Sequence, residues 1–396
     1  MTAKELIANG EAVLGIEFGS TNIKAVLLGK DNEILATGNH VWQNQLVDGL
    51  WSYSIDEIRS GLQHCYSDLS QKVKDQYDTE ISALTSIGIS AMMHGYLAFD
   101  ADNQLLVTFR TWRNTNTGEA ADRLSKLFNF NIPMRWSIAH LYQAILDGEE
   151  HVTRIHHLNT LAGYVHWLLT GRLVLGVGDA SGMFPLDPDT KDYDSSMMSK
   201  FQHLIGDSFD WNLADILPEP LSAGTVAGTL TDQGARLLDP SGKLQAGAIF
   251  CPPEGDAGTG MVATNAVGVR TGNVSIGTSI FEMVVLENPL KDHHPEIDVV
   301  ATPTGRTVAM VHCNNGGSEL DEWAKLFGDF ANSIGAKPST GQIFDALINS
   351  SVQADPDGGG LMFFNYLSGE PITGLSAGRP LFYRTPDSNL TLSNFI

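Results

Sequence analysis

Cysteine is scarce in this chain: 396 residues contain three, Cys65, Cys251 and Cys313, odd in number and far apart. That count excludes a disulfide framework and a cysteine-rich zinc site, so the three read as reduced core thiols in a cytoplasmic setting. Basic residues are short as well, with 24 Lys and Arg against 46 Asp and Glu, a formal charge of −22. Such a balance excludes nucleic acid and anionic membrane as large-surface partners, yet leaves room for a local cationic pocket around a small phosphate. No apolar run approaches the ~18 residues of a membrane span, and Met1-Thr2-Ala3-Lys4-Glu5-Leu6 lacks an apolar signal core. The chain is therefore expected to be soluble and not exported. There is no G-x-x-x-x-G-K-S/T and no G-x-G-x-x-G after a first strand, which excludes a P-loop and weighs against a dinucleotide dehydrogenase.

What is present is an α/β pattern, strands alternating with helices, in a chain long enough for two domains. A boundary falls near Ser241-Gly242-Lys243, giving domains 1–243 and 244–396. Val13 to Asn39 reads as strand, turn, strand, turn, strand, with Lys30-Asp31-Asn32 as the second turn. Ser54-Ile55-Asp56-Glu57 is a capping box, and Ile55, Ile58, Leu62, Cys65 and Leu69 then recur at helical spacing. Ser86–Ser90 reads as a strand buried on both faces. Further helices are expected over Thr117–Phe128, over Asn159–Thr170 with Asn159 as cap and Gly171 as stop, and after a Ser318 cap.

The first hairpin, Val13–Leu28, has the most chemistry in it. Its tip, Gly19-Ser20-Thr21-Asn22, exposes backbone N–H and hydroxyl donors beside the carboxylate of Glu17, a set suited to terminal phosphates and their magnesium ion. A second hairpin of the same kind, Asn273–Val285, has Gly277-Thr278-Ser279 at its tip, so the pair suggests a duplicated ATP clamp. Between them, Asp256 in Gly255-Asp256-Ala257-Gly258-Thr259-Gly260 stands where a short strand gives way to a helix. It is either an N-cap or a carboxylate kept ionised by the helix dipole and able to take a proton from a substrate hydroxyl. Met92-Met93-His94-Gly95 leaves a strand at its carboxyl end, where His94 is either structural or a donor to a polyol. Trp112-Arg113-Asn114 is either a helix start with a surface arginine or a sugar-binding set of ring, cation and amide. The pairs His156-His157 and His293-His294 lack metal-ligand spacing.

Taken together, these residues resemble the FGGY carbohydrate kinases, above all the xylulokinase-like members. Gly15–Thr21 resembles the family's first phosphate motif, Met93-His94-Gly95 its sugar-contacting segment and Trp112-Arg113-Asn114 its W-x-D segment. Asp179-Ala180-Ser181-Gly182, Gly255-Asp256, Ser275–Ser279 and Tyr366-Leu367-Ser368-Gly369-Glu370 continue the likeness in the family's order. It implies two actin-like (RNase-H-type) domains with the active site in an inter-domain cleft. It also implies ATP-dependent, Mg²⁺-assisted phosphorylation of a sugar or polyol hydroxyl, with a ketopentose such as xylulose as substrate. On that reading Asp256 is the catalytic base, and Met93, His94, Trp112, Arg113 and Asn114 contact the sugar. Gly19, Ser20, Thr21, Asn22, Lys24, Gly277, Thr278, Ser279, Gly316 and Gly317 hold the nucleotide, and Glu17 the metal. Sugar and ATP are the expected partners, with a homodimer as the oligomer in view.

The chain departs from the family pattern in three places. Glu17 replaces an aspartate, and Met92 and Asn114 replace Gln and Asp of the sugar motifs. The sequence ends at Ile396, where family members continue with helices and an adenosine motif, so a truncated member with an incomplete second domain and no adenine pocket is expected. The competing readings are a non-catalytic sugar- or nucleotide-binding remnant and an actin-like ATPase. The sugar-type residues speak against the ATPase.

Overall fold

The computed structural model describes residues 1–276, 280–367, 369–370, 373, 375 and 378–396. They form two compact units, Met1–Gly272 with Val284–Ala309, and Asn273–Met283 with Met310–Ile396.

A short helix α1 (Ala3–Ala8) leads into the strands β1 (Val13–Phe18), β2 (Asn22–Leu28) and β3 (Ile34–Val41). The hairpin β4 (Gln45–Val47) and β5 (Leu50–Ser52), the helix α2 (Ile55–Tyr77) and the strand β6 (Ser86–Ala91) follow. β1 pairs antiparallel with β2 from Val13↔Leu28 to Phe18↔Ile23, and parallel with β6 from Val13↔Ser86 to Phe18↔Ala91. β3 and the strands at 228–229, 249–250 and 254–255 complete a seven-stranded sheet, the last two parallel to β6. Parallel strands end at the same edge. The end of β1, the end of β6 and the turn after 255 are thereby gathered in one place.

Alternation decides which face is core: Leu14, Ile16 and Phe18 of β1 and Ile87, Ile89 and Ala91 of β6 are buried. β6 was expected to be buried on both faces, but Ser86, Gly88 and Ser90 are only half covered. The capping box at Ser54 and Glu57 forms, and α2 lays Ile58, Leu62, Cys65 and Leu69 on the sheet. Gly38 and Gly61 permit this close seat, since a Cβ on Gly38 would lie 2.2 Å from the Cys65 carbonyl oxygen.

Two caps differ from expectation. Thr160, not Asn159, caps the helix Leu161–Thr170, because residues 157–159 are taken up as a strand. Gly316 precedes the helix Gly317–Ser333, which places Ser318 inside the first turn rather than at the cap. Of the cysteines, Cys65 is a buried thiol as expected, while Cys251 is exposed and Cys313 half-buried, and none is bridged.

A four-stranded sheet has the order 272–276, 280–285, 307–313, 298–301. In the second unit, Phe395 sets its ring edge-on to Trp323, Phe363 and Phe382 at centroid distances of 4.9, 5.0 and 5.5 Å. Among the described residues no helix is long and apolar enough to cross a membrane.

Candidate active site

The tip between β1 and β2 is a braced turn. Gly19 N–H donates to the Asn22 carbonyl at 2.9 Å and closes it. The carbonyls behind the tip are all engaged: Trp42 Nε1–H donates to Gly19 O at 2.8 Å, Tyr53 Oη–H to Ser20 O at 2.6 Å and Trp42 N–H to Thr21 O at 3.1 Å. Trp42 and Tyr53 are stacked, with ring centroids 4.0 Å apart, and Phe18 meets Trp42 edge-on. With its acceptors used on the protein side, the tip offers donors outward, and Ser20 and Thr21 are exposed. Asn22 is half-buried, its amide on Thr21 Oγ1 at 2.9 Å, and Lys24 is exposed opposite Glu17 across the hairpin.

Asp256 opens the helix Asp256–Ala263 directly after the strand Glu254–Gly255. It is open to solvent yet ringed by protein, and its pKa is pushed up to about 6 by desolvation, with the Glu17 charge adding to it. N–H groups of Ala257, at 2.9 Å, and of Met93 oppose the shift by donating to the carboxylate. The helix dipole was expected to keep this acid firmly ionised. Crowding and a neighbouring carboxylate outweigh it, leaving a base poised near neutrality.

The Met93 contact joins Asp256 to the end of β6. Met93 packs on the turn so closely that a Cβ on Gly255 would lie 2.0 Å from its Cγ. His94 and Gly95 turn the chain with φ of +68° and +91°. His94 is buried, and desolvation reinforced by the Arg135 charge holds its pKa well below normal, so the ring is neutral. Its Nδ1 faces the Gly182 carbonyl at 3.3 Å and must carry the proton. Nε2 is then a lone pair, which accepts from a hydroxyl. This reverses the donor role expected for His94.

Trp112 is half-buried and Arg113 exposed, its guanidinium 4.1 Å above the Trp51 ring. Asn114 has a different occupation from the one expected. Its amide donates to Trp51 O and Thr111 O at 2.9 and 3.0 Å, and its oxygen accepts from Trp51 N–H at 2.9 Å. It clamps the loop to β5, and Trp51 emerges as the ring under Arg113. Sixty-three residues separate clamp and strand, a pairing no local pattern reveals.

Two buried acids lie under Asp256: Asp179, met in the sequence only as part of a family-like segment with no role attached, and Glu254, which sequence reasoning missed. Glu254 accepts from the N–H groups of Gly178 and Asp179 at 3.3 and 3.0 Å, and Asp179 Oδ2 accepts from Thr160 Oγ1–H at 2.6 Å. Burial, and for Glu254 the charge of its partner Asp179, lifts both pKa values above the carboxylate range. Asp179 Oδ1 has no partner.

In the second unit, Gly316 and Gly317 lie at the start of the helix Gly317–Ser333. The loop before them is held by buried Glu370, which accepts from Asn314 N–H and Asn315 Nδ2–H at 3.0 Å each. Gly277, Thr278 and Ser279 lie outside the described residues. Among the described residues no cluster of three or more His, Cys, Asp or Glu is arranged to hold a metal ion. Among those residues Glu17 forms no salt bridge, and Lys24, its cross-strand partner, is exposed. A half-buried carboxylate next to Asp256 suits a hard ion that takes one or two carboxylates and completes its shell with water and phosphate.

The profile of the FGGY family of carbohydrate kinases matches the chain twice, its N-terminal domain over residues 12–240 and its C-terminal domain over 272–396. The chain belongs to that family. This FGGY kinase is 24 % identical over 365 residues to a xylulose kinase of Klebsiella pneumoniae, spanning 90 % of the chain and 69 % of the relative. It is 22 % identical over 378 residues to a gluconokinase of Bacillus licheniformis, spanning 90 % and 68 %. Its structure superposes on ligand-bound xylulose kinase from Lactobacillus acidophilus with a TM-score of 0.76 at 18 % identity, covering 97 % of this chain and 74 % of that one. The mixed α/β architecture is thus that of two-domain FGGY kinases, and the enzyme is an ATP-dependent sugar kinase.

Proposed function

We propose that this enzyme transfers the γ-phosphoryl group of ATP to a hydroxyl of a ketopentose such as xylulose. The observation that carries the reading is the joining of Asp256 to Met93 through the backbone, with His94 next in line. A base and an acceptor for sugar hydroxyls are thereby fixed side by side. Asp256 takes the proton from the attacking hydroxyl as its oxygen bonds to phosphorus and the bond to ADP breaks. His94 Nε2 accepts from a second hydroxyl, Met93 and Trp112 supply apolar surface, and Arg113 on Trp51 and the clamped Asn114 bound the sugar. Gly19, Ser20, Thr21, Asn22 and Lys24 hold phosphate, as do Gly277, Thr278 and Ser279, and Gly316 and Gly317 face the nucleotide. Glu17 would hold Mg²⁺, whose charge offsets that of the phosphate oxygens. The domain boundary is read at 243/244, in the stretch between the two family matches, and a homodimer as the assembly.

The test is a coupled ADP-release assay over xylulose, other ketoses, gluconate and polyols. Xylulose is expected to give the highest kcat/KM; gluconate leading the panel overturns the substrate assignment. Asp256→Asn is expected to lower kcat by about 10²- to 10⁴-fold with sugar binding retained. Unchanged turnover overturns the assignment of the base.

A further inference from the structure

Beneath the two sugar-facing segments lies a closed circuit of buried polar side chains. Tyr96, fully buried, follows the His94-Gly95 turn, and Arg110, 4 % exposed, precedes Thr111-Trp112-Arg113-Asn114. The two residues pair through their backbones, Tyr96 N–H to Arg110 O at 2.8 Å and Arg110 N–H to Tyr96 O at 3.2 Å, and the guanidinium lies 5.4 Å from the Tyr96 ring centre. Arg110 Nη2 forms an ion pair with Glu149. His151 closes the ring: its Nε2 is 2.8 Å from Tyr96 Oη and its Nδ1 is 3.3 Å from the Glu149 oxygen that Arg110 binds. One tautomer serves both contacts, with Nδ1–H toward Glu149 and Nε2 accepting from Tyr96. Among the described residues Arg110 Nε and Nη1 have no hydrogen-bond partner, so the Glu149 ion pair and the face of the Tyr96 ring hold the buried cation.

We infer that the Tyr96–His151–Glu149–Arg110 circuit is a positioning device that sets the distance between His94 and the Trp112–Asn114 loop, and hence the affinity for sugar. Tyr96 fixes where the strained turn at His94 ends, and Arg110 fixes where the loop begins. Neither touches the reacting atoms. A shift in this circuit moves the two walls of the sugar site apart while the phosphate hairpin, braced independently by Trp42 and Tyr53, stays put. The inference rests on the sugar-site reading of the preceding subsection.

Tyr96→Phe removes one hydroxyl without opening a cavity and is the variant of choice. Glu149→Gln would strand a buried guanidinium and is expected to cost folding. With the best substrate of the panel above, Tyr96→Phe is expected to raise sugar KM about tenfold while kcat and the KM for ATP stay within about twofold. His151→Leu, which removes the contacts to Tyr96 and Glu149 together, should raise sugar KM at least as much, and adding Tyr96→Phe to it should raise sugar KM no further. A sugar KM unchanged in Tyr96→Phe, or sugar and ATP KM rising together, overturns the inference. His94→Ala run alongside separates the two levels. If His94→Ala leaves sugar KM unmoved, the sugar site itself is misplaced. If it raises KM and Tyr96→Phe does not, only the circuit falls.

Discussion

Asp256 and Glu17 are two carboxylates near enough for the charge of Glu17 to make Asp256 harder to ionise. For Asp256 the result is a pKa near 6, raised first by desolvation and then by Glu17. A base raised this far accepts a proton more willingly than an ordinary aspartate, at the cost of being protonated in mild acid. The kcat/KM of the enzyme should therefore fall as pH drops through about 6. Glu17→Gln removes the neighbouring charge and leaves the burial, so the acid limb of the pH profile should move to lower pH. The same variant should weaken the dependence on Mg²⁺ concentration, because the replaced oxygen is neutral. An acid limb that does not move would mean the two groups act independently. Asp256 was legible in the sequence from its place between strand and helix. Its basicity was not, because that comes from Glu17, 239 positions away in the chain, and from crowding that only the tertiary fold creates.

At the scale of elements, the β1–β2 hairpin shows how a local pattern depends on distant support. β1 and β2 follow from alternating apolar residues and a small-residue turn, which is why both strands were legible. Trp42 and Tyr53, which tie down the carbonyls of Gly19, Ser20 and Thr21, lie 20 to 35 residues downstream in segments with no periodic signal. Tyr53→Phe deletes the hydrogen bond to Ser20 O and leaves that carbonyl unpaired, a loss of about 1 kcal/mol. The tip should then sample other conformations. The expected outcome is a several-fold rise in the KM for ATP with sugar KM unchanged, measured by varying each substrate at saturation of the other. A rise in sugar KM instead would place the hairpin on the wrong substrate. The same reasoning explains the displaced caps. Asn159 and Ser318 have cap chemistry, but strand pairing claims the first, and a glycine-led helix start with the Glu370 brace behind it sets the second two residues early.

On the scale of the whole molecule, acidity is the dominant feature, and most of the charge of −22 lies at the surface. Asp179 and Glu254 are among the acids that lie inside instead, buried beneath the Gly255-Asp256 turn with raised pKa values. The folded chain holds their protons to higher pH than the unfolded chain, in which carboxylates titrate near pH 4. Between that pH and the neutral range the folded state binds more protons, so stability falls as pH rises across the interval. Asp179→Asn keeps an oxygen for the Thr160 hydroxyl and removes the charge facing Glu254. Its thermal midpoint at pH 8 should exceed that of the parent, and its decline from about pH 5 to pH 8 should be shallower, with little difference at the acid end. Surface repulsion would also weaken the fold as pH rises, but it is screened by about 0.5 M salt, whereas the buried pair is not. The contrast between the two chains should therefore persist in high salt. Parallel midpoint curves for parent and variant in high salt would assign the pH dependence to the surface and leave the buried pair without a share in it.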